Sequence, residues 1–500
     1  MGTVPASPKF ILSVDQGTTG TTVIVVDSKA RLLAKVTHEF KQYFPKPGWV
    51  EHDPDDIWNS VLKGISQALK EAKISAFQVA AIGLTNQRET TLLWERKSGR
   101  AVYPAIVWQD RRTAPLCASL KKAGREKLFH QKTGLFLDPY FSGTKIRWIL
   151  DHVPGVLTRA QKGDIAFGTI DSFLLWKLTG GQVHKTDATN ASRTLLMNLK
   201  TLRWDSRLCS VLGVPMKVLP EISPNVGILG LTKNMPHLPD GIPIAGMAGD
   251  QQAALFGQGG TFSGDVKCTF GTGSFILLHT GQTPVLSRWG NVTTLALYLN
   301  GRPSYALEGG AFICGAAVQW LRDGLKIIRS SSEVEGLASS VSDNGGVQFV
   351  PALAGLGAPY WKPEVRGLLC GLTRGTQRGH IARATLEGIA LQNVDILRAM
   401  AKDFKRPINV LRVDGGASEN DLLMQIQADY AGLRLYRPKI IETTALGAAF
   451  MAGLGVGFWK NLAEIKKIWN KEKEFIPVLS AKEREERLKI WHQAIGRSRL

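Results

Sequence analysis

The stretch FILSVDQGTTGTTVIVV, residues 10–26, decides the fold. Two apolar runs, Phe10–Val14 and Thr22–Val26, flank a short segment of small and polar residues. Apolar runs separated by a glycine-containing turn are typical of a β-hairpin. The sequence therefore predicts an early buried hairpin whose turn carries hydroxyl groups and little side-chain bulk.

A second hairpin of the same kind is predicted in the other half of the chain. Asp265–Phe270 (DVKCTF) and Phe275–His279 (FILLH) flank the turn that starts at Gly271. Helical periodicity over Asp55–Lys73 and a buried-type strand at Val79–Leu84 add an α/β character. We expect two similarly built α/β domains, residues 1–256 and 257–500, joined near the glycine-rich segment 255–264.

Composition bounds the class of protein. The chain has 500 residues, a net charge of +20 and 52 glycines, and its 44% hydrophobic content excludes wholesale disorder. The positive charge fits nucleic acid, an anionic membrane or an anionic substrate. Five scattered cysteines fit a reducing compartment, and no apolar segment is long enough to insert stably in a membrane. We expect a cytoplasmic protein; the C-terminal Ser498-Arg499-Leu500 offers a peroxisome-like organelle as a minor alternative.

The two hairpin turns could bind an anion. Gly17–Gly20 and Gly271–Gly273 offer backbone N–H groups and threonine hydroxyls that can curl around phosphate oxygens. The sequence contains neither the G-x-x-x-x-G-K-[ST] motif nor a G-x-G-x-x-G motif after the first strand, so other nucleotide-binding classes are disfavoured. One such turn alone could simply close a hairpin, whereas two favour phosphate binding.

A third glycine-rich turn follows the apolar run in LRVDGGASEN, residues 411–420. A strand, Gly415-Gly416 and a helix start would make a flat shelf for an aromatic ring or a ribose. A tight strand-to-helix turn explains the same pattern equally well.

Two aspartates are candidates for chemistry. Asp15 lies beside the first turn, where a carboxylate could hold Mg²⁺ through water or simply cap the turn. Asp250 lies between a strand and a helix, as an N-cap or as a general base that takes a proton from an attacking hydroxyl. Both roles are compatible, since a helix N-terminus favours the ionised carboxylate.

Arg88 and Glu89 form an adjacent pair of opposite charges after a buried-type strand. Such a pair is often only a solvated loop, but together the two side chains offer donors and acceptors for a polyhydroxy compound. None of the nine histidines clusters with another at ligand spacing, so a protein metal cage is not expected.

These motifs together resemble the FGGY carbohydrate kinases. The resemblance runs in register over residues 9–490 and includes both signature regions, 140–152 and 367–387. The stretches that carry it include DQGTTG, PKPGWVEHDP, GLTNQRETT, IVWQDRRT, AGDQQAALFGQ, FGTGSF, YALEGGAF and RVDGGAS. It implies an actin-like, ribonuclease-H-like pair of domains with the active site in the cleft between them.

The resemblance also implies a division of the site residues. The implied polyol-binding residues are Arg88, Glu89, Trp108, Tyr140, Asp250, Gln251 and Phe275. The implied nucleotide-binding residues are Thr18, Thr19, Gly20, Thr22, Gly271, Thr272, Gly315, Gln319, Gly416, Ala417 and Asn420. Asp250 is similar to the catalytic base of the family, and Asp15 to the acid on the Mg²⁺ side.

The resemblance implies ATP-dependent phosphorylation of glycerol to sn-glycerol 3-phosphate, with Mg²⁺ as cofactor and a homodimer or homotetramer as the assembly. Thr22 departs from the pattern, because the glycerol-phosphorylating members usually have an arginine there. Loss of a charge-assisted contact costs about 1.5–3 kcal/mol, so we expect a weaker interaction with the nucleotide.

Three alternatives remain open. A kinase for another small polyol or ketose is the nearest, although the Arg88-Glu89 pair and Trp108 favour a three-carbon polyol. An ATP-binding actin-like sensor with impaired transfer is a second, because of Thr22. A nucleic-acid binder is suggested only by the charge, and no motif supports it.

Overall fold

A computed structural model describes residues 9–498, in which two mixed β-sheets are built from the two halves of the chain. The strands of the first half are β1 (Phe10–Gln16), β2 (Gly20–Val26), β3 (Leu32–Glu39), β4 (Glu51–His52), β5 (Val79–Asn86), β6 (Leu92–Glu95), β7 (Ala105–Ile106), β8 (Ile165–Gly168), β9 (Lys185–Asp187), β10 (Met197–Asn198), β11 (Arg203–Trp204), β12 (Glu221–Ser223), β13 (Val226–Leu231) and β14 (Pro243–Gly249). Its helices are α1 (Pro54–Glu71), α2 (Ala114–Lys122), α3 (Glu126–Thr133), α4 (Ser142–His152), α5 (Val156–Lys162), α6 (Ile170–Leu178), α7 (Ala188–Ala191), α8 (Ser206–Leu212) and α9 (Asp250–Gly257).

The second half supplies the other sheet. Its strands are β15 (Val266–Phe270), β16 (Ser274–Gly281), β17 (Val292–Leu299), β18 (Arg302–Ala311), β19 (Gln348–Val350), β20 (Leu368–Cys370), β21 (Val410–Asp414), β22 (Arg434–Pro438) and β23 (Lys471–Phe475). Its helices are α10 (Gly315–Asp323), α11 (Glu333–Ser339), α12 (Arg378–Phe404), α13 (Asp421–Ala431), α14 (Thr443–Gly455), α15 (Leu462–Ile468) and α16 (Ala481–Arg497). Short 3₁₀ turns cover Ala76–Gln78, Met216–Val218 and Gly416–Glu419.

Both predicted hairpins are present. β1 pairs antiparallel with β2, and β15 pairs antiparallel with β16. Ile11, Leu12, Val14 and Val23 are fully buried, because both faces of this central hairpin are covered. The hydrophobic effect therefore stabilises the hairpin from both sides, at about 1.5–3 kcal/mol for each large side chain.

The two sheets share one topology. In the first, β3, β2 and β1 are antiparallel neighbours, while β1, β5 and β14 are parallel neighbours. In the second, β18, β16 and β15 repeat the antiparallel part, and β15, β21 and β22 repeat the parallel part. The predicted duplication of an α/β unit is confirmed, as is the expected two-domain actin-like architecture.

Helix α1 covers the β2 and β3 side of the first sheet. Asp53 caps its N-terminus by accepting the Asp55 backbone N–H at 2.9 Å, and Pro54 is its first residue. Ile57, Val61 and Ile65 are buried against the sheet at helical spacing. The helix begins and ends within two residues of the predicted range.

The helix that follows the last parallel strand of each unit, β14 in the first and β22 in the second, reaches across to the other unit. Helix α14, from the second half, packs on β1, β5 and β14, while α9, from the first half, contacts β15, β16 and β17. The two helices also cross each other at glycines: a Cβ at Gly257 would lie 2.0 Å from the Thr443 carbonyl oxygen, and one at Gly447 would lie 1.9 Å from that of Ala253. This exchange brings both helix N-termini to the cleft where the central strands end.

Two further findings concern residues 9–498 as a whole. No helix within residues 9–498 is long and apolar enough to cross a membrane. All five cysteines have free thiols, four of them buried. Arg499 and Leu500 of the peroxisome-like C-terminal tripeptide lie outside the described residues.

Candidate active site

A cavity of about 390 Å³ lies in the cleft between the two halves. All seven residues of the implied polyol-binding set line it, together with Thr18 and Thr19 of the first hairpin turn and Gly271 and Thr272 of the second. The remaining lining residues are Gln42, Phe44, Gln109, Thr269 and Gly273. The structure therefore brings the predicted polyol residues and both hairpin turns to one place.

Arg88 is buried rather than solvated, with 3% of its surface exposed. Its Nη1 and Nη2 atoms donate to the two carboxylate oxygens of Glu308, at 2.5 and 2.9 Å. Its Nε lies 3.0 Å from Oδ1 of Asp250. The interpretation of Arg88-Glu89 as a solvated loop is wrong, because the guanidinium is fixed by a carboxylate from the other half of the chain.

A second buried arginine completes this ion network. Arg193 donates from Nε to Glu89 at 2.6 Å and from Nη2 to Glu308 at 2.9 Å. Glu89 itself has a positive φ of 60°, which is unusual for a residue other than glycine. Backbone strain of this kind persists only when the surrounding contacts hold it, here the pair with Arg193.

Asp250 is the first residue of α9, and Gly249 occupies the N-cap position. The interpretation of Asp250 as the N-cap is therefore wrong. Its Oδ1 accepts the Gln251 backbone N–H at 2.7 Å and faces Arg88, and no hydrogen bond within residues 9–498 reaches its Oδ2. Burial raises the pKa of Asp250, opposed by the positive charges of Arg88 and Lys267, so desolvation outweighs the expected effect of the helix N-terminus.

Asp15 is a half-buried carboxylate on β1. Its pKa is raised well above the ordinary value, first by burial and then by the negative charges of Asp250 and Glu442. No hydrogen bond to its carboxylate is present within residues 9–498, so it does not cap the turn. A carboxyl without donors, beside two other acids, offers its oxygens to a cation, whose positive charge would favour the ionised form.

The aromatic wall of the cavity is built from three rings. Trp108 lies edge-on to Tyr140 and to Phe275, with ring centroids 5.7 and 6.0 Å apart. Trp108 Nε1 donates to Thr18 Oγ1 at 2.9 Å, which ties the wall to the first hairpin turn. Such a wall can pack on a short carbon chain while polar groups opposite bind its hydroxyls.

A second cavity of about 390 Å³ adjoins the first and shares Gly271 and Thr272 with it. It contains the predicted nucleotide residues Gly271, Thr272, Gly315, Gln319, Gly416, Ala417 and Asn420. Sequence reasoning missed its other members, which are Phe270, Val318, Ser331, Ser332, Val334, Glu335, Leu386, Glu419 and Leu423. The glycine-rich shelf after β21 is thus part of a cavity, although the turn is also tight, with φ of 83° at Gly415.

Local packing explains several residues of this second cavity. A Cβ at Gly315 would lie 2.8 Å from the Gly271 carbonyl oxygen, and that oxygen accepts the Gly315 N–H at 2.9 Å. Asn420 caps α13 through a hydrogen bond from the Leu423 N–H at 2.7 Å. The second hairpin turn is therefore docked on α10, and the capping bond orients the Asn420 side chain, whose amide nitrogen makes no hydrogen bond within residues 9–498.

Gly20 and Thr22 do not line either cavity. A Cβ at Gly20 would lie 2.9 Å from the His38 carbonyl oxygen, so close strand packing accounts for this glycine. Thr22 lies directly opposite Asp15 in the sheet, and its hydroxyl is 3.0 Å from that of Thr37. The predicted contacts of these two residues with a nucleotide stay predictions.

Sequence reasoning also missed three charged residues that contact the lining of the first cavity from behind: Arg193, Glu308 and Lys267. Each is fully or almost fully buried. A charged residue inside an apolar run, as in DVKCTF and YALEGGAF, is a signal that could have found two of them. Their partners could not be found in this way, because the Arg88–Glu308 pair joins residues far apart in sequence.

This fold and this cleft define a class of protein, the two-domain sugar and polyol kinases. The family model for the N-terminal domain of the FGGY carbohydrate kinases matches residues 10–257, and the family model for their C-terminal domain matches residues 266–456. The chain belongs to the FGGY family of carbohydrate kinases.

Its relatives carry a more particular name. The chain is 58% identical over 489 residues to a protein of Bdellovibrio bacteriovorus named glycerol kinase, covering 98% of this chain and 99% of the relative. It is 54% identical over 492 residues to one of Myxococcus xanthus with the same name, covering 98% and 99%. The crystal structure of Plasmodium falciparum glycerol kinase with ADP superposes with a TM-score of 0.91 at 36% identity, covering 99% of both chains.

Proposed function

We propose that this protein transfers the γ-phosphoryl group of ATP to a terminal hydroxyl of glycerol, forming sn-glycerol 3-phosphate. The observation that carries the proposal is the pair of adjoining cavities, which meet at Gly271 and Thr272. One cavity has the polar and aromatic lining that suits a small polyol, and the other has a glycine-rich lining that suits a nucleotide. The relatives named glycerol kinase support the choice of glycerol.

The polyol cavity offers groups for both the carbon chain and the hydroxyls of glycerol. Trp108 and Phe275 would pack on the carbon chain. Arg88 and Gln251 would donate to hydroxyl oxygens, while Glu89 would accept from them. Because Arg88 and Glu89 are held rigidly by Glu308 and Arg193, little reorganisation is required when the substrate binds.

Asp250 is proposed as the general base. Its Oδ1 is held by the Gln251 backbone N–H and by Arg88, which leaves Oδ2 to accept the proton of the attacking hydroxyl. A raised pKa makes this carboxylate a better proton acceptor than an ordinary aspartate. The proton passes to Asp250 as the substrate oxygen attacks phosphorus and the bond to the leaving ADP oxygen breaks.

The nucleotide would lie across the second cavity with its phosphates at the hairpin turns. The N–H groups and hydroxyls of Thr18, Thr19 and Thr272 would bind phosphate oxygens, and the Gly416-Ala417 shelf would receive the adenosine. The carboxylate of Asp15 fits Mg²⁺ through water, since no donor among residues 9–498 reaches it and it lies near two other acids. When bound, Mg²⁺ would neutralise phosphate charge.

We further propose that residues 1–256 and 257–500 are the two domains, and that their closure on the cleft excludes water from the transfer. A cytoplasmic location and a homodimer or homotetramer are part of the same proposal. The peroxisomal alternative has no support from the comparisons.

The proposal is tested by ADP release from the full chain with glycerol, with xylulose or with no acceptor. We expect release only with glycerol, and a decrease of about 10³-fold or more in Asp250→Asn, because the hydroxyl then has no base. Asp205→Asn is a matched control, since Asp205 also lies at a helix start but outside both cavities. Acceptor-independent release, or full activity in Asp250→Asn, would contradict the proposal.

A further inference from the structure

Lys267 is a buried lysine that has no ion-pair partner in the described part of the chain. Its side chain is fully buried in the strand β15, and no carboxylate within residues 9–498 lies within 4.0 Å of its Nζ. Burial of a charged ammonium without a carboxylate is strongly unfavourable. Because burying this charge is unfavourable, we expect Lys267 to have a specific role.

The contacts of Lys267 point toward the polyol cavity. Its Nζ donates to Oε1 of Gln251, on α9, and to Oγ1 of Thr269 at 2.7 Å. Both partners line the cavity beside Asp250. The contact with Gln251 also joins the two halves of the chain, because β15 and α9 belong to different units.

This contact fixes which end of the Gln251 amide is free. An ammonium group only donates hydrogen bonds, so its partner must be the carbonyl oxygen and not the amide nitrogen. The Nε2 group of Gln251 makes no hydrogen bond within residues 9–498 and remains available as a donor. A substrate hydroxyl that accepts from Nε2 must then direct its own proton elsewhere, and the free Oδ2 of Asp250 is the adjacent acceptor.

We propose that Lys267 is a positioning residue for the transfer step: it holds the Gln251 amide with its N–H donors toward the attacking hydroxyl and keeps a positive charge beside Asp250. This inference rests on the proposed function and extends it to a residue that touches neither cavity. Lys267 acts through Gln251, Thr269 and Asp250.

The charge of Lys267 also has a consequence for pH dependence. The other charged or titratable groups that face Asp250 or Lys267 are Arg88, Glu308, Asp15, Asp414 and Cys268. Lys267 lowers the pKa of Asp250, against the effect of burial. Without Lys267 the pKa of Asp250 would rise, so the pH below which kcat/KM falls would move upward.

The test compares the wild-type chain with Lys267→Met and Lys267→Gln, using glycerol and ATP from pH 5 to pH 9. We expect kcat to decrease about 10- to 100-fold and the acidic limb of kcat/KM to move up by roughly one pH unit. Arg412→Met is the matched control, because Arg412 lies directly opposite Lys267 on β21 but pairs with Asp265 away from Asp250. It should leave both the rate and the pH profile unchanged.

The outcomes separate this inference from the proposed function. Absence of glycerol-dependent turnover in the wild type would overturn the proposed function and the role of Lys267 with it. Normal wild-type turnover with an unshifted acidic limb in both Lys267 variants would overturn only the role of Lys267. Failure of both variants to fold would assign the lysine to the core and overturn it too.

Discussion

The strands β1 and β15 occupy equivalent positions in the two units but carry different chemistry into the cleft. Each is followed directly by a glycine, Gly17 or Gly271, whose N–H donates back across the turn at 2.9 Å. In the first unit Asp15 on β1 lies opposite Thr85 on β5, whereas in the second Thr269 on β15 lies opposite Asp414 on β21. The aspartate is thus on the first strand of one unit and on the neighbouring parallel strand of the other, and the threonine is on the opposite strand in each case.

The exchange changes what each carboxylate can do. Asp414 accepts from Gln258 at 2.9 Å and from Thr443 at 2.6 Å, so its Oδ2 is already satisfied by the protein. Asp15 has no such donor within residues 9–498, and burial next to other acids raises its pKa. One aspartate is therefore held by donors of the protein, while the other has none among residues 9–498 and is the one that we propose for Mg²⁺.

The two strands also differ at the position two residues earlier, Ser13 on β1 and Lys267 on β15. Ser13 donates to the Ala445 carbonyl oxygen of α14 at 2.7 Å, while Lys267 donates to Gln251 of α9. In both cases the side chain contacts the helix that crosses from the opposite unit. A duplicated framework thus carries a carboxylate on one side of the cleft and an ammonium on the other.

Among the variants that test this comparison, the largest effect is expected for Asp15→Asn. Turnover with glycerol and ATP should decrease about 100-fold, while Tm increases, because an amide removes a desolvated and repelled charge. The folded-state pKa of Asp15 is raised, so the wild type loses stability as pH rises through that value. The gain in Tm should therefore be larger at pH 8 than at pH 4, as scanning calorimetry would measure.

Asp414→Ala supplies the contrast to that variant. It removes the carboxylate that accepts from Gln258 and Thr443, although Gln258 still donates to the Val413 carbonyl oxygen. We therefore expect a loss of about 1–3 kcal/mol of unfolding free energy in urea titrations. Turnover per folded molecule should decrease much less than in Asp15→Asn. Equal losses of turnover in the two variants would contradict the division of roles between these aspartates.

The next effect concerns the ion network that joins the units. Glu308→Gln should increase the KM for glycerol about 10- to 100-fold, since Arg88 and Arg193 lose their shared carboxylate. Because the charge of Glu308 raises the pKa of Asp250, the acidic limb of kcat/KM should move to lower pH. This shift is opposite in direction to that expected for Lys267→Met.

Glu95→Gln is the control for Glu308→Gln, because Glu95 also pairs with two arginines but lies outside both cavities. Steady-state kinetics from pH 5 to pH 9 measure both variants. An unchanged glycerol KM in Glu308→Gln would show that Arg88 keeps its position without this carboxylate.

The smallest expected effect is that of Thr22→Arg. Thr22 lies opposite Asp15, so an arginine there would add positive charge near the proposed phosphate site. We expect kcat/KM for ATP to increase by up to about tenfold. Thr37→Arg, one strand further from Asp15, should give no increase. A folded Thr22→Arg variant without any increase would show that this position does not limit the reaction.

Much of the fold could be predicted from the sequence, because it depends on local patterns. The hairpins at Phe10–Val26 and after Asp265 are visible as apolar runs around glycine turns, and α1 is visible as a helical period. The crossing of α9 and α14 could not be predicted, since it depends on glycines that meet only in three dimensions. The seven residues that the motif resemblance implies for polyol binding all line one cavity.

The pairing of the charged residues behind that cavity could not be predicted from the sequence. Glu308 and Lys267 are hydrogen-bonded to Arg88 and Gln251 across the boundary between the units, and no local pattern shows such a pairing. The +20 net charge was similarly uninformative, because only one cationic side chain, Arg88, is among those that line the two cavities in the described part of the chain.

The most direct test of the proposed transfer follows the phosphoryl group itself. The full chain is incubated with glycerol and ATP labelled at the γ-phosphate, and the products are separated and identified by ³¹P NMR. We expect the label on a terminal oxygen of glycerol, in an amount equal to the ADP formed. Label released as inorganic phosphate at the same rate with or without glycerol would contradict transfer between the two cavities.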